Sequence, residues 1–257
     1  MLPSLIAVFW KGIGNQNPIV PAIIAYFTFL SILCLIYTSI NNTRFKAIGL
    51  LGVMFFIIDF RFMSQTSSQY ADTLVALFIL IAIILLSKRD GKSHTFFLLV
   101  GFFSSLPIWV KNEGNVFFIF TSILIVYQNK KDIRKILCYL IGALPIVFIY
   151  AYFKIFYAPD NDIIGTLNTT TFEKILSIER YIIVAKYLIN TLIFQFPVLL
   201  ILFFAVLILY PKVLFSWMTF IILSTLASYL FVYIVTPHDI NWHLNTSLNR
   251  LIHQVYP

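Results

Sequence analysis

The chain has 257 residues, of which 60% are hydrophobic, 18% aromatic and 11% charged, with a formal net charge of +8 and a mean hydropathy of +0.93. A water-soluble domain carries about 25% charged residues, so this composition excludes an ordinary soluble enzyme, a disordered protein and a free nucleic-acid-binding domain. The apolar residues fall in blocks near the ~20 residues that a bilayer-crossing helix needs. They lack the alternation over roughly ten residues that marks a membrane barrel.

The sequence predicts an all-α polytopic transmembrane bundle of about eight spans, one domain over residues 1–257. The expected spans are Pro18–Ile40, Ala47–Met63, Asp72–Ser87, His94–Val110, Gly114–Gln128, Ile136–Tyr157, Tyr187–Leu209 and Leu214–Val235. Pro107, Pro145 and Pro197 lie inside spans, which membrane helices tolerate when neighbours re-satisfy the freed carbonyls. Two stretches read as amphipathic helices in the outer interface. Phe172–Tyr187 interleaves Phe172, Ile175, Leu176, Ile182 and Val184 with Glu173, Lys174, Glu179 and Arg180, after the Thr169–Thr171 run. The tail repeats Ile240, Leu244, Leu248, Leu251, Ile252 and Val255 at helical spacing. Cys34 and Cys138 sit inside apolar blocks and read as small buried hydrophobes.

Charge alternates along the loops. Arg44 and Lys46, Lys88, Arg89 and Lys92, Lys130, Lys131, Arg134 and Lys135, and Lys212 occupy loops on one side, with Asp90 and Asp132 as their acids. Short basic loops stay cytoplasmic, so the net charge is a topology signal and calls for no acidic ligand. On this orientation residues 1–17 begin outside, with no basic leader around Leu2–Pro3–Ser4. The chain is therefore expected to lack an N-terminal span and part of an outer loop.

Charges at the edge of the hydrocarbon are expensive and mark candidate sites. Three clusters fall on the outer side. The first is Tyr70–Ala71–Asp72, where Asp72 either caps a helix N-terminus or binds a metal, a sugar hydroxyl or an amine, or acts as a base. Asp59 and Arg61 nearby read as an edge ion pair. The second is the hairpin Lys111–Asn112–Glu113–Gly114. Here Lys111 either holds a phosphate, with Glu113 orienting it or a ligand hydroxyl, or snorkels beside turn residues. The third runs from Thr236–Pro237–His238–Asp239 to Arg250. Asp239, His243, Thr246 and Arg250 share one side of a helix, either as a solvated face or as a site in which the Arg250 fork grips a phosphate. His94, His238 and His253 show no ligand spacing.

In order and in side of the membrane, these clusters resemble bacterial members of the GT-C superfamily, polytopic glycosyltransferases related to dolichyl-phosphate-mannose–protein mannosyltransferases. The segment Leu2–Pro3–Ser4 to Gly12–Ile13–Gly14 is similar to the juxtamembrane helix closing that family's first outer loop. The resemblance implies a polyprenyl-phosphate sugar donor and a lipid, glycan or protein acceptor, used at the outer leaflet of a bacterial inner membrane. Asp72 and Glu113 become the catalytic candidates, Lys111 and Arg250 the donor-phosphate candidates, and Tyr70, Asn112, Asp239 and His243 the substrate-binding candidates. The resemblance names no certain cofactor, and a divalent cation stays open. The family's principal acid sits in the first outer loop, ahead of this chain, so the chain as given is expected to hold the donor side without its general base. Two other classes compete. A lipid-linked substrate flippase would show internal repeats and interrupted helices, and a non-catalytic membrane scaffold would need no site at all.

Overall fold

A computed structural model describes residues 2–41, 46–88, 93–159 and 169–257. Among these residues it contains helices and no strand. The basic residues Arg44, Arg89 and Lys92 and the acid Asp90 lie outside the described residues. The described chain forms two compact units, one of residues 1–150 with 253–257 and one of residues 151–252.

The first unit opens with α1 (Leu2–Ile13). Gly14 ends it in the left-handed region at φ +82°, its N–H donating to the carbonyl of Trp10, the usual glycine stop of a helix. Asn17 then caps the next helix, accepting from the N–H of Ile19. There follow α2 (Ile19–Asn41), α3 (Lys46–Ile58), α4 (Phe60–Ser67), α5 (Ala71–Ser87), α6 (Phe96–Val110), α7 (Gly114–Gln128) and α8 (Ile133–Phe156). Helix α2 packs on α3 and α5, α5 on α6, and α6 on α7. Helices α6 and α8 meet backbone to backbone. A Cβ on Gly101 would overlap the Tyr139 carbonyl, and one on Gly142 would overlap that of Leu98. Small residues permit such contact where apolar lipid supplies no hydrophobic drive. A polar clasp lies close by, with the Tyr139 hydroxyl bonded to Ser104 of α6 at 3.2 Å and Ser122 of α7 at 2.8 Å.

The second unit holds α9 (Thr169–Leu176), α10 (Ile178–Gln195), α11 (Pro197–Leu209), a tight turn at Pro211–Phe215, α12 (Trp217–Val235) and α13 (Ile240–Val255), whose last residues belong to the first unit. Helix α12 packs on α9 and α10. No residue of α11 is buried, although every one is apolar.

Among the described residues, three helices are long and apolar enough to cross a membrane: α2, α8 and α12. The count rises to five if the bent pairs α3–α4 and α10–α11 each make one span. Of the eight expected spans, three are such long helices. Two are broken, by 63° and 100°, and three are the shorter apolar helices α5, α6 and α7, of 17, 15 and 15 residues. At about 1.5 Å per residue these reach roughly 22–26 Å, short of a ~30 Å hydrocarbon core.

The breaks have local causes. Asp59 is extended, and its carboxylate accepts from the N–H groups of Arg61 and Phe62, starting α4 afresh. Pro197 lacks an N–H and pushes Phe196 out of the helical region, to φ −129° and ψ 47°. Pro107 and Pro145, by contrast, stay within α6 and α8. The expected surface helix at 172–187 divides at the extended Ser177 into α9 and the start of α10. Cys34 is exposed and Cys138 half-buried, where both were expected inside.

Candidate functional site

The site is assembled where α5 begins and α6 ends. The chain turns from α4 into α5 through Gln69, a non-glycine residue held at φ +59°, a region costly for a side chain. Tyr70 follows as the extended N-cap of α5, without a side-chain capping bond. Asp72 lies in the first turn of the helix, where exposed N–H groups favour an anion. It is fully buried, and two side chains donate to its carboxylate. Lys111 Nζ donates to Asp72 Oδ1 at 2.8 Å, and Gln254 Nε2 donates to the same oxygen at 2.6 Å.

Lys111 arrives there because the α6–α7 hairpin is tight. Its own N–H donates to the carbonyl of Pro107, ending α6. A Cβ on Gly114 would overlap the Pro107 carbonyl, so only glycine lets α7 start so close to α6. The turn leaves Lys111 half-buried, 3.5 Å from Glu113 Oε1, with the Glu113 side chain 34% exposed. A carboxylate, an ammonium and a second carboxylate thus run from the interior to the surface. Removing a buried charge from water costs several kcal/mol, offset only when its partner and hydrogen bonds are well placed. Here both donors meet Asp72 within 3 Å.

Residues 253–257 complete this region. His253 Nε2 and Thr73 Oγ1 are 3.2 Å apart, and the His253 ring leans on Phe62 at 5.0 Å between centroids. The Tyr256 hydroxyl donates to Asp59 Oδ2 at 2.5 Å, and its ring packs among Phe55, Phe56 and Phe62. Burial pushes the Tyr256 phenol above its ordinary pKa, and Asp59 reinforces the shift. Burial also pushes His253 down to about 4, against the pull of Asp72 and Asp59, so it is neutral at neutral pH. Beside Thr73 lies a small cleft, lined also by Leu2, Ile24, Thr28, Thr66 and Tyr70.

The structure therefore brings together Asp72, Lys111 and Glu113. Asp72 does not line a cavity with them, however, because Gln254 and Lys111 cover it. Tyr70 is exposed and faces the cleft instead. Asn112 serves the hairpin, its carbonyl accepting from the Asn115 side chain. The expected contact between Asp59 and Arg61 takes the form of a backbone cap.

In the second unit, exposed Asp239 caps α13 by accepting from the N–H of Trp242 at 2.8 Å. His243 Nδ1 lies 3.0 Å from Thr236 Oγ1, with its ring against Tyr233. The apolar row Ile240, Leu244, Leu248, Leu251 and Ile252 is buried in protein, where an interfacial helix would have placed it in lipid. Arg250 is half-buried on this helix. Two cations that the sequence placed on a surface helix grip an oxygen cluster in this unit. Arg180 donates to the carbonyls of Ile234, Tyr233 and Thr236, and Lys174 donates to that of Thr236.

Sequence reasoning missed Gln254, Tyr256 and Thr73 as partners of the Asp59–Asp72 region. No periodic signal marked them, since Gln254 falls with Asp239, His243 and Arg250 off the apolar row of α13. Among the described residues no three His, Cys, Asp or Glu side chains converge as a metal site would require. No family model, no curated protein and no solved structure matches this chain.

Proposed function

We propose that this chain is a GT-C-type membrane glycosyltransferase, taking a sugar from a polyprenyl-phosphate donor at the outer leaflet of a bacterial inner membrane. On this reading α5, α6 and α7 complete an eight-span topology by thinning the local bilayer. The observation that supports it best is the chain Asp72–Lys111–Glu113 at the adjoining ends of three apolar helices. Glu113, the more exposed acid, stands in for the family's first-loop acid and takes the proton from an acceptor hydroxyl. The hydroxyl oxygen bonds to the anomeric carbon as the bond from that carbon to the phosphate oxygen breaks, inverting the centre. The departing electron pair stays on the phosphate, whose charge Lys111 meets. Asp72 holds the ammonium in place.

A second reading, a flippase for lipid-linked substrates, draws support from the bends in α3–α4 and α10–α11, since transporters bind substrate at interrupted helices. One assay separates the two. Membranes carrying the chain receive a polyprenyl-phosphate sugar labelled in the sugar. Transfer of label to lipid, glycan or protein, lost in Lys111→Ala and Glu113→Gln, supports the transferase. Movement of intact donor between leaflets without transfer supports the flippase and sinks the transferase.

A further inference from the structure

We infer that residues 253–257 form a removable seal over the Asp72 carboxylate, with the Gln254 amide standing where a ligand's hydroxyl donates once the seal opens. The inference concerns access to Asp72 and holds whichever reaction the site performs. Asp72 is fully buried, so no solute reaches it while the present contacts persist. One contiguous segment supplies several of the groups in this region. His253 reaches Thr73, Gln254 reaches Asp72, and Tyr256 reaches Asp59.

The seal is imperfectly satisfied. Gln254 Oε1 is buried and has no hydrogen-bond partner, and a buried acceptor left unmade penalises the closed state. The amide cannot be turned round to relieve this, because its oxygen would then face the Asp72 carboxylate. Helix α13 ends at Val255, so Tyr256 and Pro257 follow outside it. Opening therefore needs only the last turn to unwind, and helix ends fray most readily. It would leave Asp72 and Lys111 as an acceptor and a donor side by side, the pair that a hydroxyl-bearing ligand needs.

The test uses the full chain in lipid nanodiscs, a water-soluble carbodiimide with an amine nucleophile, and mass spectrometry at each carboxylate. Asp72 is expected to label far more slowly than Glu113 in the wild type. Gln254→Ala should speed Asp72 labelling about tenfold or more relative to Glu113, the loss of one hydrogen bond to a charge, and Tyr256→Phe should speed it less. Labelling of Asp72 unchanged in both variants would overturn the seal. Hydrogen exchange on the wild type guards against a misfolded variant. Amides of 253–256 should exchange ahead of those in α5, and exchange together with α5 would also overturn it.

Discussion

Lys111 and Asp72 are 39 residues apart and meet at 2.8 Å, the ammonium half-buried and the carboxylate fully so. A buried pair of this kind is weak as a net source of stability, but losing one member strands the other charge, at about 3–5 kcal/mol. Lys111→Met is therefore expected to lower the unfolding free energy by that amount, and the double variant Asp72→Asn/Lys111→Met by much less. Unfolding in mixed detergent micelles, followed by tryptophan fluorescence, reads the difference. A double-variant cost equal to the sum of the costs of Asp72→Asn and Lys111→Met alone would mean that the ion pair carries no coupling.

The crossing of α6 and α8 gives an independent packing test. At Gly101 any side chain would overlap the Tyr139 carbonyl, which is backbone and cannot rotate away. Overpacking a tight contact costs about 1–3 kcal/mol, and separating the helices would also stretch the bonds from Ser104 and Ser122 to Tyr139. Gly101→Ala should lower the thermal midpoint measurably. Gly12→Ala, with nothing within 4 Å of the added Cβ, should not.

The pH dependence follows from His253. Its ordinary pKa of 6.5 is lowered to about 4 by burial, against the attraction of Asp72 and Asp59. On acidification the unfolded chain binds the proton first, so the stability tied to neutral His253 is complete above about pH 6.5 and declines as pH falls toward 4. Thr73 and Phe62 touch the ring and do not titrate, while the carboxylates of Asp72 and Asp59 act on it through space. Between pH 7 and 5 the wild type should lose stability more steeply than His253→Asn. Parallel curves for the two proteins would show that His253 does not control this slope.

The long spans were legible because α2, α8 and α12 combine length with uninterrupted apolarity, and composition alone fixes that. The meeting of Asp72, Lys111 and Glu113 was legible because consecutive short-looped helices bring their ends together. The bends were not legible. Pro107, Pro145 and Pro197 look alike in sequence, yet only Pro197 parts two helices, since the outcome depends on which neighbours receive the freed carbonyls. Gln254 was beyond reach for another reason. It lies 182 residues from Asp72, and no periodicity links positions so far apart. Asp239 shows the opposite case, in which a residue suspected of binding substrate takes the capping role that its place before α13 already offered.

Arg180 presents the same lesson in reverse. Its alternation with apolar neighbours placed it on the solvated face of a surface helix, but its guanidinium closes the carbonyl end of α12. Nε donates to Ile234 at 2.7 Å, and the second nitrogen reaches Tyr233 and Thr236. The last carbonyls of a helix have no partner within it and carry partial negative charge, so a planar cation that meets several of them at once suits the position. Lys174 adds one further bond to Thr236. Arg180→Ala should therefore destabilise the second unit by about 1.5–3 kcal/mol, the range for hydrogen bonds to a charged group. Arg180→Lys should recover only part of this, because a point charge cannot reproduce the fork. Hydrogen exchange at residues 233–236 is the measurement. Faster exchange there in Arg180→Ala, with residues 217–225 unchanged, is expected, whereas equal exchange in wild type and variant would leave Arg180 without a capping role.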